Sequence, residues 1–365
     1  MRVISFIALI LTAALPGISQ TQASPATALP SDPRELFAAA APFYDFTSPE
    51  LKPWHLKATY QLYDENGKNS EEGSFEYWWA SPQLYRSTWT RGTATHTDWH
   101  TDKRTAHIAT GEPLNFFEYK LQSALISPLP ATAELDPAKS VLDREFVGSK
   151  KAKFPCIMVI PQTPYYKQFV TVPLGIYPTY CFDPQNPILR VTHSFGTMTT
   201  EDSNIVKVQG RYLARTIGMY DGSRRILVAT VDAIDGISPA DPALTPPAAP
   251  VIAKSSVAPT SNMAGNIPKK ITISSDVARS HMITFTRPKY PMDAQAAHIT
   301  GTVLLKANIG TDGGIHDLRV ISAPSTSLAI SALWAVSQWQ YTPTILAGEP
   351  VEIDTIVDVN YSLSH

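Results

Sequence analysis

Alternating histidines and aspartates in the first third of the chain form the pattern best suited to binding a metal. Four of them stand at every second position: His96, Asp98, His100 and Asp102. Alternate residues of a strand share one face, and His107 on a following strand would complete a ligand set of the kind that zinc takes. The pattern equally suits a solvated polar face opposite packed residues such as Trp99. We favour that interpretation and predict no bound metal and no cofactor.

Sequence motifs of familiar catalytic sites are missing from the chain. There is no Gly-x-Ser-x-Gly elbow, no His-Glu-x-x-His helix and no phosphate-binding loop. The three residues of a catalytic triad need not be close in sequence, so a triad of distant residues is the alternative. We predict no catalytic residues and a protein that is not an enzyme.

Aromatic residues are concentrated in two short stretches of the same region: Phe75, Tyr77, Trp79, Tyr85 and Trp89, and then Phe116, Phe117 and Tyr119. One interpretation is an apolar groove that holds a lipid or a hydrophobic peptide. The other is the ordinary core between a sheet and a helix, to which aromatic side chains contribute most of the buried surface.

The most regular pattern lies at the C-terminal end. Residues 301–309 and 315–322 alternate between apolar and polar and are joined by a turn at Asp312-Gly313, which predicts a hairpin. Apolar residues at helical spacing over 328–339 predict an amphipathic helix. Residues 351–363 alternate again, with Glu352, Asp354 and Asp358 on the polar side. We expect a small α+β domain with a three-stranded antiparallel sheet.

Several of these residues resemble a known family. The motifs are Tyr290-Pro291-x-x-Ala294, Ile299-x-Gly301-x-Val303, Asp312-Gly313, Trp339-x-Tyr341-x-Pro343 and Gly348-x-Pro350. In this order and spacing they resemble the C-terminal domain of TonB-type energy transducers. The resemblance implies that the domain binds a short extended segment of an outer-membrane receptor by adding it to a sheet edge, in energy-dependent transport.

The last strand is the candidate edge, because an edge strand exposes backbone groups that a partner strand satisfies. We therefore predict a partner-binding set of Val351, Ile353, Thr355, Val357, Val359 and Tyr361. The resemblance adds Tyr290 and Pro291. The alternatives are that the acidic residues only protect the edge from aggregation, that Pro291 starts a short helix and that Tyr290 is a packing residue.

The N-terminus predicts export. Met1 and Arg2 precede an apolar run over residues 3–15, and Thr21, Gln22 and Ala23 offer a cleavage site, so residues 1–23 read as a signal peptide. The run is shorter than the roughly 20 residues that span a bilayer. We expect a periplasmic protein, with an uncleaved inner-membrane anchor as the alternative. TonB-type transducers are anchored, so without an anchor inner-membrane motor proteins would have to act in trans.

Charge and cysteine content agree with this compartment. The chain of 365 residues has a formal net charge of −2, which gives no footprint for nucleic acid. Its two cysteines, Cys156 and Cys181, would form a disulfide in an oxidising compartment.

Composition divides the rest of the chain. Residues 237–269 are rich in Pro, Ala and Ser and predict an extended linker. Before it, residues 30–236 predict a β-rich domain with strands at 55–63, 73–79, 84–90, 94–101 and 104–110, a helix at 113–125, and strands at 153–160, 169–172, 175–182 and 189–194. Residues 204–220 and 224–234 flank Asp221-Gly222 as a hairpin. After the linker comes the domain over 270–365.

The order of strands and helices in the first domain resembles the half-barrel of LolA-type lipoprotein carriers, a curved sheet around a helix. A β-sandwich or a clamp-like sheet suits the pattern nearly as well. The resemblance implies a second possible function, a periplasmic carrier of a lipid-like ligand.

Overall fold

A computed structural model describes residues 29–102, 105–148, 153–162, 174–247, 270–346 and 348–363. The predicted signal peptide, the strand expected at 169–172 and most of the predicted linker lie outside these residues. In the part of the chain that is described, no helix is long and apolar enough to cross a membrane.

The N-terminal region forms one curved antiparallel sheet of twelve strands within the described residues. The strands are β1 (Trp54–Tyr63), β2 (Asn69–Ser81), β3 (Leu84–Arg91), β4 (Ala94–His100), β5 (Thr105–Thr110), β6 (Ser140–Gly148), β7 (Lys153–Pro161), β8 (Thr179–Phe182), β9 (Leu189–Ser194), β10 (Met198–Val208), β11 (Arg211–Asp221) and β12 (Arg224–Gly236). Their order is β5-β4-β3-β2-β1-β12-β11-β10-β9-β8-β7-β6, so β1 and β12 meet at the centre.

Two helices pack on opposite faces of this sheet. Helix α1 (Pro33–Ala40) begins at Asp32, whose Oδ1 accepts hydrogen bonds from the backbone of the first turn. It buries Leu36 and Phe37 against β7 and β8. Helix α2 (Phe116–Ile126) begins with a capping box between Asn115 and Glu118 and packs on the other face. Both faces of β7 are therefore buried, which explains its continuous apolar run.

The aromatic set found in the sequence belongs to the core beside α2. The rings of Phe75, Tyr77, Trp79 and Trp89 are each at most 4% exposed. Phe75 and Trp89 lie 4.2 Å apart between ring centroids. Of the two interpretations offered by the sequence, these four side chains fit the packed core, and they leave no open groove at their positions.

The strand predictions in this region were wrong or incomplete in detail. Residues 204–220 are not one strand: β10 and β11 are separated by a turn in which Gln209 and Gly210 have φ angles of 47° and 81°. Two consecutive positive φ values make a tight hairpin turn. Strand β6 was not predicted, because its outward residues include Phe146, 60% exposed, and give no clean alternation.

The predicted disulfide is present between Cys156 on β7 and Cys181 on β8, directly opposite each other. Both residues are buried. In the chain-entropy description, closing a loop of this length stabilises the fold by about 3 kcal/mol.

The C-terminal region follows in the order β13 (Lys270–Thr272), α3 (Ser275–Ser280), β14 (Met282–Thr284), α4 (Met292–Ala296), β15 (Gly301–Ile309), β16 (Ile315–Ser322), α5 (Thr326–Val336), β17 (Gln340–Tyr341), β18 (Ile345–Leu346), β19 (Glu349–Pro350) and β20 (Glu352–Tyr361). Its main sheet has four strands in the order β13-β20-β15-β16. The expectation of three antiparallel strands was therefore incomplete, because β13 adds a fourth, in parallel.

Candidate functional site

Strand β20 has two unequal neighbours. On one flank β15 pairs with it in antiparallel register from Gly301–Tyr361 to Ile309–Ile353, nine residue pairs. On the other flank β13 pairs in parallel with Glu352, Ile353 and Asp354 only. The last strand is therefore not a free edge over its first three residues, which corrects the expectation from sequence.

The backbone of β20 shows which residues face which flank. The N–H of Ile273, just after β13, donates to the carbonyl of Asp354 at 3.1 Å. Because N–H and C=O directions alternate along a strand, Ile356, Asp358 and Asn360 point their backbone groups to the same flank. Thr355, Val357 and Val359 point theirs to β15. Within the described residues, no strand pairs with β20 on the β13 flank beyond Asp354.

The predicted partner-binding side chains lie inside the domain. Val351, Ile353, Thr355, Val357, Val359 and Tyr361 are all at most 5% exposed. They face the core together with Leu328 and Ala332 of α5. Those in β20 itself also direct their backbone toward β15. A partner strand on the free flank would instead meet the backbone of the alternate residues, which the sequence analysis assigned to the polar side.

Acidic side chains on that polar side are paired with nearby cations. The Nζ of Lys270 lies 2.9 Å from a carboxylate oxygen of Asp354 and 4.0 Å from Glu352. Arg279 of α3 binds Asp358 at 2.9 Å. Each cation belongs to the short segment that runs along the β13 flank, and the sequence analysis missed both.

Exposed apolar side chains lie near the same flank. Ile356 is 41% exposed, and Ile283 and Phe285 are 64% and 58% exposed. A shallow depression beside Ile356 is bordered by Met282, Trp339 and α3. The flank thus combines backbone groups that no described strand pairs, carboxylates and apolar surface, and the carbonyl of Asp358 accepts a hydrogen bond from the Arg279 side chain at 3.5 Å.

Tyr290 and Pro291 lie at the opposite end of β20. The Tyr290 hydroxyl donates to the carbonyl of Ile299 at 2.6 Å, and its ring contacts Tyr361 edge-on at 5.4 Å. Pro291 immediately precedes α4 and acts as its N-cap residue. The side chain of Tyr290 therefore packs against the end of the strand, seven residues along from Asp354, or about 23 Å at the usual rise.

The other edge of the C-terminal sheet, β16, faces the N-terminal region. The ring of His316 stacks on Tyr119 of α2 at 3.7 Å, and Lys120 binds Asp317 at 2.9 Å. Arg319 reaches Glu134 at 2.7 Å. Burial alone would raise the pKa of Asp317, but Lys120 and Arg319 outweigh it and hold that pKa far below its usual range.

Helix α5 strengthens this contact between the two regions. The ring of Trp334 lies 5.8 Å from both Phe117 and Phe195, and its Nε1 donates to Thr197 at 3.3 Å. At Gly196 a Cβ would come within 2.6 Å of Ile330, so the backbone approaches α5 at a point where a side chain has no room. This interface was not predicted, because Trp334 is not one of the apolar residues at helical spacing, which are Leu328, Ala332, Ala335, Val336 and Trp339.

A cavity of about 300 Å³ remains between the two regions. The end of α2, strands β8 to β10 and strand β16 border it. Its lining includes Thr192, His193, Thr200 and Asp202. Burial raises the pKa of Asp202 to about 8, although Arg190 opposes the shift. Leu129, Phe195 and Met198 also line it, so the space is lined by both polar and apolar side chains and is of the size that holds a small ligand.

The alternating histidines have other partners. His96 Nε2 donates to the carbonyl of Glu112 at 2.6 Å, and His107 Nδ1 donates to Asp98 at 2.7 Å. The ring of His100 stacks on Tyr85. Among the residues that the structure describes, no three His, Cys, Asp or Glu side chains are grouped so as to hold a metal ion.

Comparison with known proteins finds a match for the C-terminal region. Residues 286–363 match the family described as the Gram-negative bacterial TonB protein C-terminal domain. Protein TonB of Vibrio cholerae is 32% identical over 78 residues, which cover 21% of this chain and 32% of that protein. The chain thus spans about a third of the length of this relative.

Solved structures similar to this chain cover more of it at low identity. A LolA superfamily protein from Nitrosomonas europaea aligns with 57% of this chain and 97% of its own, at 8% identity and a TM-score of 0.35. A DUF1329 family protein from Desulfovibrio piger aligns with 56% of this chain and 92% of its own, at 8% identity and a TM-score of 0.35.

Proposed function

We propose that this protein is an exported, non-enzymatic binding protein that takes part in TonB-type transport across the outer membrane. Its C-terminal domain binds an extended segment of an outer-membrane receptor by strand addition to β20. The observation that carries the proposal is the β13 flank, where Ile356, Asp358 and Asn360 direct backbone groups that no strand among the described residues pairs.

The proposed contact supplies both affinity and selectivity. Backbone hydrogen bonds from an added strand give affinity that is independent of the partner's side chains. The exposed Ile356 and the carboxylates of Asp354 and Asp358 then favour a segment with apolar and basic residues. Strand β16, at the other edge of this sheet, is in contact with α2 of the N-terminal region.

The N-terminal region serves as the support of this domain. Trp334, His316 and Asp317 fasten the C-terminal domain to α2 and to the loop at Phe195. Coupling to the inner-membrane motor is proposed to occur in trans, with the signal peptide removed. Determining the mature N-terminus in cell fractions tests this part: a soluble periplasmic protein beginning near Ser24 agrees with it, and retention of residues 1–15 in the inner membrane contradicts it.

The test of strand addition uses two substitutions at one position. Ile356→Pro removes an N–H from the free flank, whereas Ile356→Thr keeps the N–H and a strand-forming side chain. Peptides from the periplasmic segments of the outer-membrane receptors of the same organism are arrayed against the full mature chain. We expect a subset to bind the wild-type protein and Ile356→Thr, and none to bind Ile356→Pro. A peptide that binds all three proteins equally would exclude docking at this flank.

A second function, a carrier of a small ligand, is favoured by the cavity between the regions. Its lining of Thr192, His193, Thr200 and Asp202 suits a ligand with a polar head better than a bare acyl chain. Native mass spectrometry of the purified full chain tests it. A co-purifying lipid-like mass that is lost in Asp202→Leu supports the carrier, and a protein that is always empty contradicts it.

A further inference from the structure

The most informative feature of the proposed docking flank is that the chain already places one of its own strands there. Strand β13 contributes Lys270, Ile271 and Thr272, running parallel to β20. The carbonyl of Ile273 also accepts a hydrogen bond from the Thr355 hydroxyl at 3.0 Å. This short strand therefore satisfies the backbone groups at the start of the flank that a partner strand would need.

Several properties of β13 indicate that it is weakly held. It pairs over three residues, and its side chains are exposed or only half-buried. Lys270 is 46% exposed, and exposed ion pairs of this kind contribute little to stability. Parallel pairing is also slightly less stable per residue than antiparallel pairing. By contrast, β15 carries Val303, Leu305 and Ala307 fully buried.

We infer that β13 is a resident strand that an incoming partner strand displaces, and that it shows what this partner looks like. The inference rests on the proposed function, because it concerns the same flank of β20. A partner that replaces β13 runs parallel to β20 and carries a basic residue opposite Glu352 and Asp354. It has an apolar residue next to that, in the place of Ile271. Two positions further along than Ile271 it carries a residue other than proline, whose N–H reaches the carbonyl of Asp354.

Competition between the two strands sets the apparent affinity for the partner. While β13 is paired, only a fraction of the molecules offers the whole flank, and the apparent dissociation constant increases by the inverse of that fraction. Weakening β13 should therefore strengthen binding, whereas damage to the flank itself should weaken binding. These opposite signs separate the two effects.

The experiment uses the chain's own segment as the probe. The full mature chain is labelled at its isoleucine methyl groups. A peptide of residues 270–275, with acetylated and amidated ends, is titrated into it, and the NMR signal of Ile356 is followed. Ile273→Pro removes the donor to Asp354. Thr272→Pro is the matched control, since alternation directs the Thr272 N–H away from β20, where proline is tolerated on an edge strand. We expect Ile273→Pro to bind the peptide at least about tenfold more tightly than the wild type and Thr272→Pro do.

A second variant guards against a folding defect in Ile273→Pro. Lys270→Glu leaves the backbone intact but places a negative charge beside Glu352 and Asp354, so it should also bind the wild-type peptide more tightly than the unmodified chain does. Equal affinity of the wild type, Ile273→Pro and Lys270→Glu for the peptide would overturn the inference. A failure of the proposed function would look different. In that case the peptide binds Ile273→Pro more tightly, as expected, but no receptor segment binds the wild type or any variant.

Discussion

The two edges of the C-terminal sheet are closed in different ways. Strand β16 is covered by the N-terminal region through the stacked ring of Tyr119, two ion pairs and the neighbouring contacts of Trp334. Strand β20 is covered at its start by the three residues of β13 and further along by the short helix α3, whose Arg279 binds the carboxylate and the backbone carbonyl of Asp358. One edge is closed by packing that involves two regions of the protein, and the other by a short segment. This difference is the reason for proposing that the β20 side is the edge at which a partner strand replaces β13.

The largest expected effect comes from proline at adjacent positions of β20. Val357 directs its N–H to β15 and is 5% exposed, so Val357→Pro should destabilise the domain by at least about 2 kcal/mol, because a buried acceptor loses its donor. Ile356→Pro should cost less than about 1 kcal/mol, since its N–H faces the free flank. Denaturant unfolding of the full chain measures both. If the two costs were equal, the assignment of backbone directions would be wrong.

Removing the indole ring of Trp334 should weaken the contact between the C-terminal domain and the N-terminal region, so that the two unfold independently. Trp334→Ala deletes the contacts with Phe117, Phe195 and Thr197 and should weaken the interface by about 2 kcal/mol. We expect thermal unfolding to split into two transitions, while binding of a receptor peptide at β20 is retained. A single unchanged transition would show that the interface contributes little in solution. Phe285→Ala, at an exposed ring of the same domain, serves as the control.

The C-terminal domain should also lose stability as pH rises, through the pair of His316 with Asp312, whose Nε2 and Oδ1 lie 2.9 Å apart. Burial lowers the pKa of His316, but the charge and hydrogen bond of Asp312 outweigh burial, so that the net shift is upward. A histidine with a raised pKa contributes stability that is fully present below its ordinary pKa of about 6.5 and is lost as pH rises through the folded-state value. The wild type should therefore lose more stability between pH 6 and 9 than His316→Gln does. Melting temperatures across this range measure the difference, and parallel curves would contradict it.

The smallest effect is expected at Lys270. Lys270→Ala removes one half-exposed ion pair and should cost no more than about 1 kcal/mol of folding stability, with a loss that disappears at high salt.

Hydrogen exchange gives the direct comparison of the two flanks, because the amide of Ile273 should exchange much faster than that of Val357. Similar protection of both amides would mean that β13 is as firmly held as β15.

Much of the fold was readable from local pattern. The strands β15, β16 and β20 and helix α5 follow from alternation and helical spacing, and the hairpin of β11 and β12 follows from Asp221-Gly222. These elements have one buried face and one polar face, which is the condition under which periodicity carries information. The family match over residues 286–363 agrees with the motifs from Tyr290 to Pro350.

Less of the candidate site than of the fold could be predicted from the sequence. Lys270, Ile271 and Thr272 are too few to show a period, and they follow a Pro-rich segment that gives no strand signal. The alternation of β20 identified the strand but not which of its two residue sets faces a partner, because that depends on which flank β15 occupies. The contact of Trp334 with Phe195 joins residues that are far apart in sequence. The local periodicity of apolar residues does not predict such long-range contacts.

The meeting of β1 and β12 at the middle of the large sheet has a consequence for how the protein reaches this state. Strands β1 to β5 are joined by successive short turns, as are β8 to β12. Each series can therefore form from neighbours along the chain, whereas the central pair joins Trp54–Tyr63 to Arg224–Gly236 and must first overcome the entropy of closing the whole intervening loop. We expect the series β1 to β5 and the series β8 to β12 to form early, and the pairing of β1 with β12 to form late. Until that step, the incompletely folded chain would present two long unprotected strand edges, which are sites of aggregation.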